Sequence, residues 1–192
     1  MPVRTDIHKI LIIGGGPIMI GQGCYADCAA TSAAIVLRER GYEVVVVDSN
    51  PDAILTDPKV ADATYIEPLT VTSIAKIIEK EKPDALLASV GGHTAQNLAM
   101  QMNSDGILAR FRVEMIGIDE RAISRLADKK LFRETLGRVG INTPKSGIAN
   151  TIDEGLAIIS DLGFPVVLRP TFTLAGVGSA IAYNKEEYMH ML

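Results

Sequence analysis

Two short runs that are apolar along their whole length constrain this chain most. They are Lys9-Ile-Leu-Ile-Ile13 and Glu43-Val-Val-Val-Val47. A strand with no polar alternation must be covered on both faces, which calls for a parallel sheet between helical layers. The sequence between and after the runs keeps that rhythm. Residues 17–40 are Ala-rich, with Ala33, Ala34 and Leu37 at helical spacing, and Gly41 follows Arg38 and Arg40 as at a helix C-terminus. Ile74, Ile77 and Ile78 make an i, i+3, i+4 stripe within Val71 to Glu81, and Pro83 ends that helix. Ala85 to Val90 reads as a third strand, Thr94 to Met102 as a third helix and Val113 to Ile116 as a fourth strand. The expected class is α/β: a doubly wound, Rossmann-like domain over residues 1–118.

Beyond Ile118 the pattern changes. Asp119 is placed to cap a helix carrying Ile123 and Leu126, and Asp128 to Val139 reads as another, so 119–142 is expected to be a helical linker. A second domain is expected to begin over 143–192. Thr151-Ile-Asp-Glu154 has the form of a capping box, and the helix it opens should end at Gly163. Strand Val166 to Leu168, Arg169-Pro170, a Gly-containing loop Thr171 to Ser179 and strand Ala180 to Tyr183 follow. Asn184 starts a helix that Leu192 interrupts, so this second domain reads as incomplete.

Charge and composition exclude several classes. A net charge of −4 offers no basic face for nucleic acid. No apolar run approaches the roughly 20 residues that cross a bilayer, and the N-terminus lacks the apolar stretch of a secretory leader. Cys24 and Cys28 stand at i and i+4 on one helix face. They read as small buried side chains in a reducing cytoplasm, because a metal site would need more ligands and His93 is distant in sequence.

Gly14-Gly15-Gly16-Pro17 follows a strand and opens a helix, the setting of a dinucleotide fingerprint. Met19, however, stands where the third glycine of G-x-G-x-x-G belongs, and Asp48 ends the second strand where a ribose-binding acid would sit. Two readings remain at this level: a nicotinamide-dinucleotide turn, or a tight strand-to-helix turn that uses glycine for its backbone freedom.

Several segments in fixed order narrow the choice. Met1-Pro-x-Arg-Thr-Asp-Ile, Gly16-Pro-Ile-x-Ile-Gly-Gln, Asn50-Pro, Thr56-Asp-Pro, Ala61-Asp-Ala-Thr-Tyr-Ile-Glu-Pro, Gly91-Gly-x-Thr-Ala, Gly163-Phe-Pro and Arg169-Pro-x-Phe-Thr span the chain. Together they resemble the large subunit of carbamoyl phosphate synthetase, at the start of the first of its two similar halves. The resemblance implies a pre-ATP-grasp domain that holds no dinucleotide, followed by the beginning of an ATP-grasp domain. It implies ATP with Mg²⁺, phosphorylation of bicarbonate to carboxyphosphate, and ammonia delivered from glutamine by a small amidotransferase subunit. A cytoplasmic oligomer serving arginine or pyrimidine biosynthesis is the corresponding expectation. Another ATP-grasp ligase, or a non-catalytic Rossmann-like binding module, is the alternative.

The resemblance also assigns residues. Arg169 matches an arginine that contacts nucleotide phosphate and is the candidate catalytic residue, since a guanidinium forks onto phosphate oxygens. Lys129 falls where relatives carry an arginine near the nucleotide. Ala175 and Gly176 lie in the stretch that resembles the glycine-rich flap over ATP, where backbone amides cradle phosphates. Ala175 and Ser179 stand where relatives tend to have glycine. Mg²⁺ ligands and adenine contacts are expected beyond residue 192, so residues 1–192 alone are expected to hydrolyse no ATP. Two departures stand out. Gly23-Cys-Tyr-Ala-Asp-Cys-Ala-Ala30 replaces an Ala-Cys-Glu-Phe-Asp-Tyr-Ser-Gly segment, matching only at Cys24 and Asp27, and His93 replaces a glutamine. His93 is read as a polar loop residue bonded to nearby backbone, with a catalytic base as the alternative.

Overall fold

In a computed structural model, which describes residues 4–17, 23–170 and 178–192, the two apolar runs lie side by side. β1 (Lys9–Ile13) pairs in parallel with β2 (Glu43–Asp48), Ile12 opposite Val46. β3 (Ala63–Ile66) flanks β2, while β4 (Ala85–Leu87) and β5 (Glu114–Ile116) continue beyond β1. The order is β3-β2-β1-β4-β5, parallel throughout.

The pleat sends alternate side chains to opposite faces. Ile10, Ile12, Val44 and Val46 pack with Ala30 and Ala34 of α1 (Gly23–Glu39) and with Leu55 of a 3-10 turn at Ile54–Thr56. Leu11, Ile13, Val45 and Val47 pack with Ile74, Ile77 and Ile78 of α2 (Val71–Glu81). Met102 of α3 (Gly92–Ser104) and Leu108 of α4 (Ile107–Phe111) complete that second core. Every one of those strand residues is essentially inaccessible, and each such side chain contributes about 1.5–3 kcal/mol.

β3 and α4 were not expected. Ala-Thr-Tyr-Ile is half-buried at the sheet edge, so it shows neither a continuous apolar run nor clean alternation. α4 is short and starts after Gly106, whose φ of 72° only glycine adopts readily. β4 is shorter than read, because the chain turns into α3 at Gly92. Of the helix expected over 17–40, residues 18–22 lie outside those described.

The opening segment closes the N-terminal edge of the sheet. The Arg4 guanidinium bonds both carboxylate oxygens of Glu114, at 2.7 and 2.8 Å, and also Asp6. Bonded to Arg4, the Asp6 carboxyl is pulled down to about 2. The Arg4 amide donates to the Tyr42 hydroxyl at 3.0 Å. Asp84 accepts from the His8 and Lys9 amides at 2.7 and 2.9 Å.

Two compact units are present, Met1–Ile123 and Ser124–Leu192, and the division falls inside α5 (Glu120–Ala127). Asp119 caps α5 through the Ala122 amide at 2.7 Å. In the second unit Asp128 caps α6 (Lys129–Arg138), and α7 (Ile152–Leu162) opens on the expected Thr151–Glu154 capping box. Gly163 ends α7. β6 (Val166–Leu168) then pairs antiparallel with β7 (Ala180–Ala182), and Asn184 caps α8 (Lys185–Met191). The core here is small: Ile159, Ala182 and Tyr188, with Leu156, Val166 and Leu168 packed against them.

Candidate functional site

Open parallel sheets bind ligands at the carboxyl ends of their strands. In the first unit the glycine turns themselves occupy that position. A Cβ on Gly91 would lie 2.1 Å from the Ile13 carbonyl oxygen, and one on Gly14 would lie 2.0 Å from Asp48 Oδ2. The turn after β1 and the turn after β4 are therefore in backbone contact, which only glycine permits. Asp48 is 2 % exposed. Its Oδ1 accepts from the Asn50 amide at 2.9 Å, and its Oδ2 from the Gly16 amide at 3.4 Å. Burial pushes this carboxyl up, against the pull of those amides. The acid that a dinucleotide reading would aim at a ribose is sealed in, holding the turn instead.

The matching segments nearby are scaffolding as well. Asp27, on α1, accepts from the Ile54 and Leu55 amides at 2.7 and 2.9 Å. The Thr56 hydroxyl donates to the Ala53 carbonyl at 2.8 Å and also contacts the Pro51 carbonyl. The cysteines correct the sequence reading: both Cys24 and Cys28 are exposed. α1 docks through Ala30, Thr31 and Ala34, which turns positions 24 and 28 outward. His93 is also exposed, in the first turn of α3, and its ring makes no hydrogen bond among the described residues, unlike the backbone-bonded loop residue expected. Among the described residues no three His, Cys, Asp or Glu side chains gather as a metal-holding group.

The second unit carries the two cations that the resemblance singles out. Arg169 directly follows β6, is exposed, and makes no ion pair among the described residues. Lys129 opens α6, held there by the Asp128 cap, whose Oδ1 accepts from Lys130 and Leu131 amides at 2.8 and 2.9 Å. Its ammonium donates to the Pro170 carbonyl at 2.8 Å. Lys129 therefore grips the backbone one residue past Arg169, a tertiary contact with no signal in the local sequence. The ends of the connecting loop are pinned together: Leu168 pairs with Ala180, and a Cβ on Gly178 would touch Pro170 at 3.4 Å. Residues 171–177 lie outside those described, and with them the flap positions Ala175 and Gly176. The Ser179 hydroxyl, at the far end of that loop, is buried without a hydrogen-bond partner among the described residues. Arg169, Pro170 and Gly178 line an open cleft of about 640 Å³ with Pro144, Lys145 and Tyr188.

Residues 6–125 match the family described as the carbamoyl phosphate synthase preATP-grasp domain, most of the chain. The chain belongs to the carbamoyl phosphate synthase large-chain family. Residues 128–192 match that family's L chain ATP binding domain. Among relatives, the N-terminal section of the carbamoyl phosphate synthase large chain of Aquifex aeolicus is 50% identical over 192 residues, covering 100% of this chain and 34% of that protein. The large chain of Archaeoglobus fulgidus is 52% identical over 187 residues, 97% of this chain and 17% of that protein. The chain thus spans about a third or less of the relatives it matches. Among solved structures, a biotin carboxylase–ATP complex from Campylobacter jejuni aligns with a TM-score of 0.72 at 22% identity, covering 97% of this chain and 40% of that one. The biotin carboxylase domain of Hydrogenobacter thermophilus 2-oxoglutarate carboxylase gives 0.71 at 23% identity, with the same coverage. At such identity the likeness speaks to fold: a Rossmann-like pre-ATP-grasp domain followed by the start of an ATP-grasp domain.

Proposed function

We propose that this segment of a carbamoyl phosphate synthase large chain forms one wall of an ATP-phosphate site, and that its reaction is ATP-dependent phosphorylation of bicarbonate to carboxyphosphate on the way to carbamoyl phosphate. The observation that supports the reading is the bond from Lys129 to the Pro170 carbonyl, which ties Lys129 to the residue after Arg169, in a chain that is 50% identical to such a protein along its length.

The chemistry suits those side chains. A bicarbonate oxygen attacks the terminal phosphorus of ATP, the bond to the bridging oxygen breaks, and ADP leaves. Negative charge shifts over the phosphoryl and leaving oxygens during transfer, and fixed cations stabilise it. Arg169 can offer two parallel N–H groups to those oxygens. Lys129 keeps donors to spare beyond the one given to Pro170. Ala175 and Gly176 would add backbone amides from the flap. The described residues contain no metal-holding group, so Mg²⁺ is assigned no ligand here and no step runs through it. A glutamine amidotransferase small subunit supplying ammonia, and an oligomeric assembly, complete the proposal.

The test uses the full reading frame that encodes these residues. ADP release with MgATP is measured with and without bicarbonate, in the wild type and in Arg169→Ala. Bicarbonate-stimulated release that falls about 10²–10³-fold in the variant is expected, the usual loss on deleting one transition-state donor. Release indifferent to bicarbonate, or to Arg169→Ala, would sink the assignment. Residues 1–192 alone are expected to release no ADP above a mock preparation.

A further inference from the structure

α1 carries two thiols that the proposed reaction does not use. Its docked side is Ala30, Thr31 and Ala34, and Cys24, Cys28, Ser32 and Val36 run along the opposite side, all exposed. Residues i and i+4 of a helix have their Cβ atoms about 5–6 Å apart, facing one another. A disulfide wants a Cβ separation of about 3.5–4.5 Å, so direct pairing would distort the helix. An atom inserted between the two sulfurs would not. Asp27 lies between the cysteines in sequence, but its carboxylate is committed to the Ile54 and Leu55 amides. No third ligand gathers among the described residues, so the site does not meet the four-coordinate demand of structural zinc. A two-sulfur donor set instead suits a soft centre satisfied by two thiolate bonds.

We propose that Cys24 and Cys28 form a two-thiol binding site for a soft thiophilic centre, with trivalent arsenicals as the ligand class. With an arsine oxide, two As–S bonds form, and both thiol protons leave with the oxide oxygen as one water. Arsenic stays trivalent throughout. Cys24 matches the resembling family segment and Cys28 does not, so the pair belongs to this sequence. The bridge would span the turn of α1 that also carries Ala26, whose Cβ would lie 2.9 Å from a Cβ on Gly15, and the Asp27 clamp. Binding should therefore slow amide exchange in the first turns of α1.

The site is tested on residues 1–192, which carry no cysteine but these two, kept reduced and titrated with phenylarsine oxide. Intact mass is expected to show one phenylarsenic group per chain with loss of one water, reversed by 2,3-dimercaptopropanol but not by an equal concentration of monothiol. Cys24→Ser and Cys28→Ser should each weaken binding at least about 100-fold, the loss expected when a second tethered contact disappears. Both positions are exposed, so the variants should stay folded, which far-UV circular dichroism checks. Two arsenicals per chain, no adduct on the folded wild type, or undiminished affinity in either single-cysteine variant would overturn the proposal.

Discussion

The first unit seals β1 and β2 between helices on both faces, while the second rests a two-stranded hairpin on a core of three buried apolar residues. In the first unit, the residues that look most like a ligand site are consumed by packing: Asp48 holds its own turn, Asp27 clamps a loop, Gly14 leaves room for the Asp48 carboxylate, and Gly91 lets two turns touch. In the second, Arg169 and Lys129 are exposed, and the Lys129 ammonium bonds the Pro170 carbonyl. A dense glycine motif thus marks close approach of backbone, and the approaching group need not be a ligand. The small core implies that the second unit opens more readily, as two-stranded sheets do without further cover.

The largest expected effect breaks the comparison if it fails. Ile12 is fully buried, and Ile12→Ala should cost about 2–5 kcal/mol. Val167, on β6, is 64% exposed, and Val167→Ala should stay within about 0.5 kcal/mol. Urea unfolding followed by hydrogen exchange separates the two: Ile12→Ala should deprotect β1 and β2. A single transition that both substitutions shift equally would show that the units do not unfold independently. Glycines give the next contrast. Gly91→Ala must move backbone oxygens at 2.1 and 2.7 Å and should cost about 3 kcal/mol. A Cβ on Gly137, near the end of α6, meets nothing within 4 Å, so Gly137→Ala should stabilise the second unit by about 0.5–1 kcal/mol. Thermal melts would reveal the opposite signs. Smaller again is Tyr188→Phe. It removes the 2.8 Å bond from the hydroxyl to the Gly155 carbonyl and should cost about 1 kcal/mol, confined to exchange in α7 and α8.

What could be read from the sequence follows the same divide. β1 and β2 were legible because burial on both faces leaves an uninterrupted apolar run, and α2 because its isoleucine stripe faces one core. The capping box at Thr151 and the Asp119 cap were legible because capping is local chemistry. β3 was hidden because a half-buried edge strand keeps polar residues on both faces. The exposure of Cys24 and Cys28 was hidden because an alanine-rich helix has no apolar stripe to show which side docks. Arg169 was singled out through family resemblance alone and stands exposed after β6, whereas the Lys129 bond to Pro170 joins residues too distant in sequence for any local pattern.

Acid titration sharpens the comparison with the smallest effect. Burial raises the Asp48 carboxyl above its ordinary value, so the folded first unit holds a proton there that the unfolded chain releases near pH ~4. The stability linked to Asp48 is fully present below the unfolded value and is lost as pH rises through the folded one. Asp84 works the other way: the Lys9 and His8 amides lower it, so its contribution is present above the unfolded value and lost as pH falls through the folded one. Asp48→Asn removes the first dependence and leaves the second. The stability of the wild type minus that of Asp48→Asn should therefore fall with rising pH above about 4 and level off once Asp48 is ionised in the folded chain. Urea midpoints from pH 3.5 to 7 measure it, with the second unit's transition as the internal reference, because Asp48 makes its hydrogen bonds inside the first unit. Parallel curves for the first transition would mean that the carboxylate is solvated as an ordinary surface group. The sealed glycine turn would then have to be reopened as a candidate ligand site, erasing the contrast with the exposed cations of the second unit.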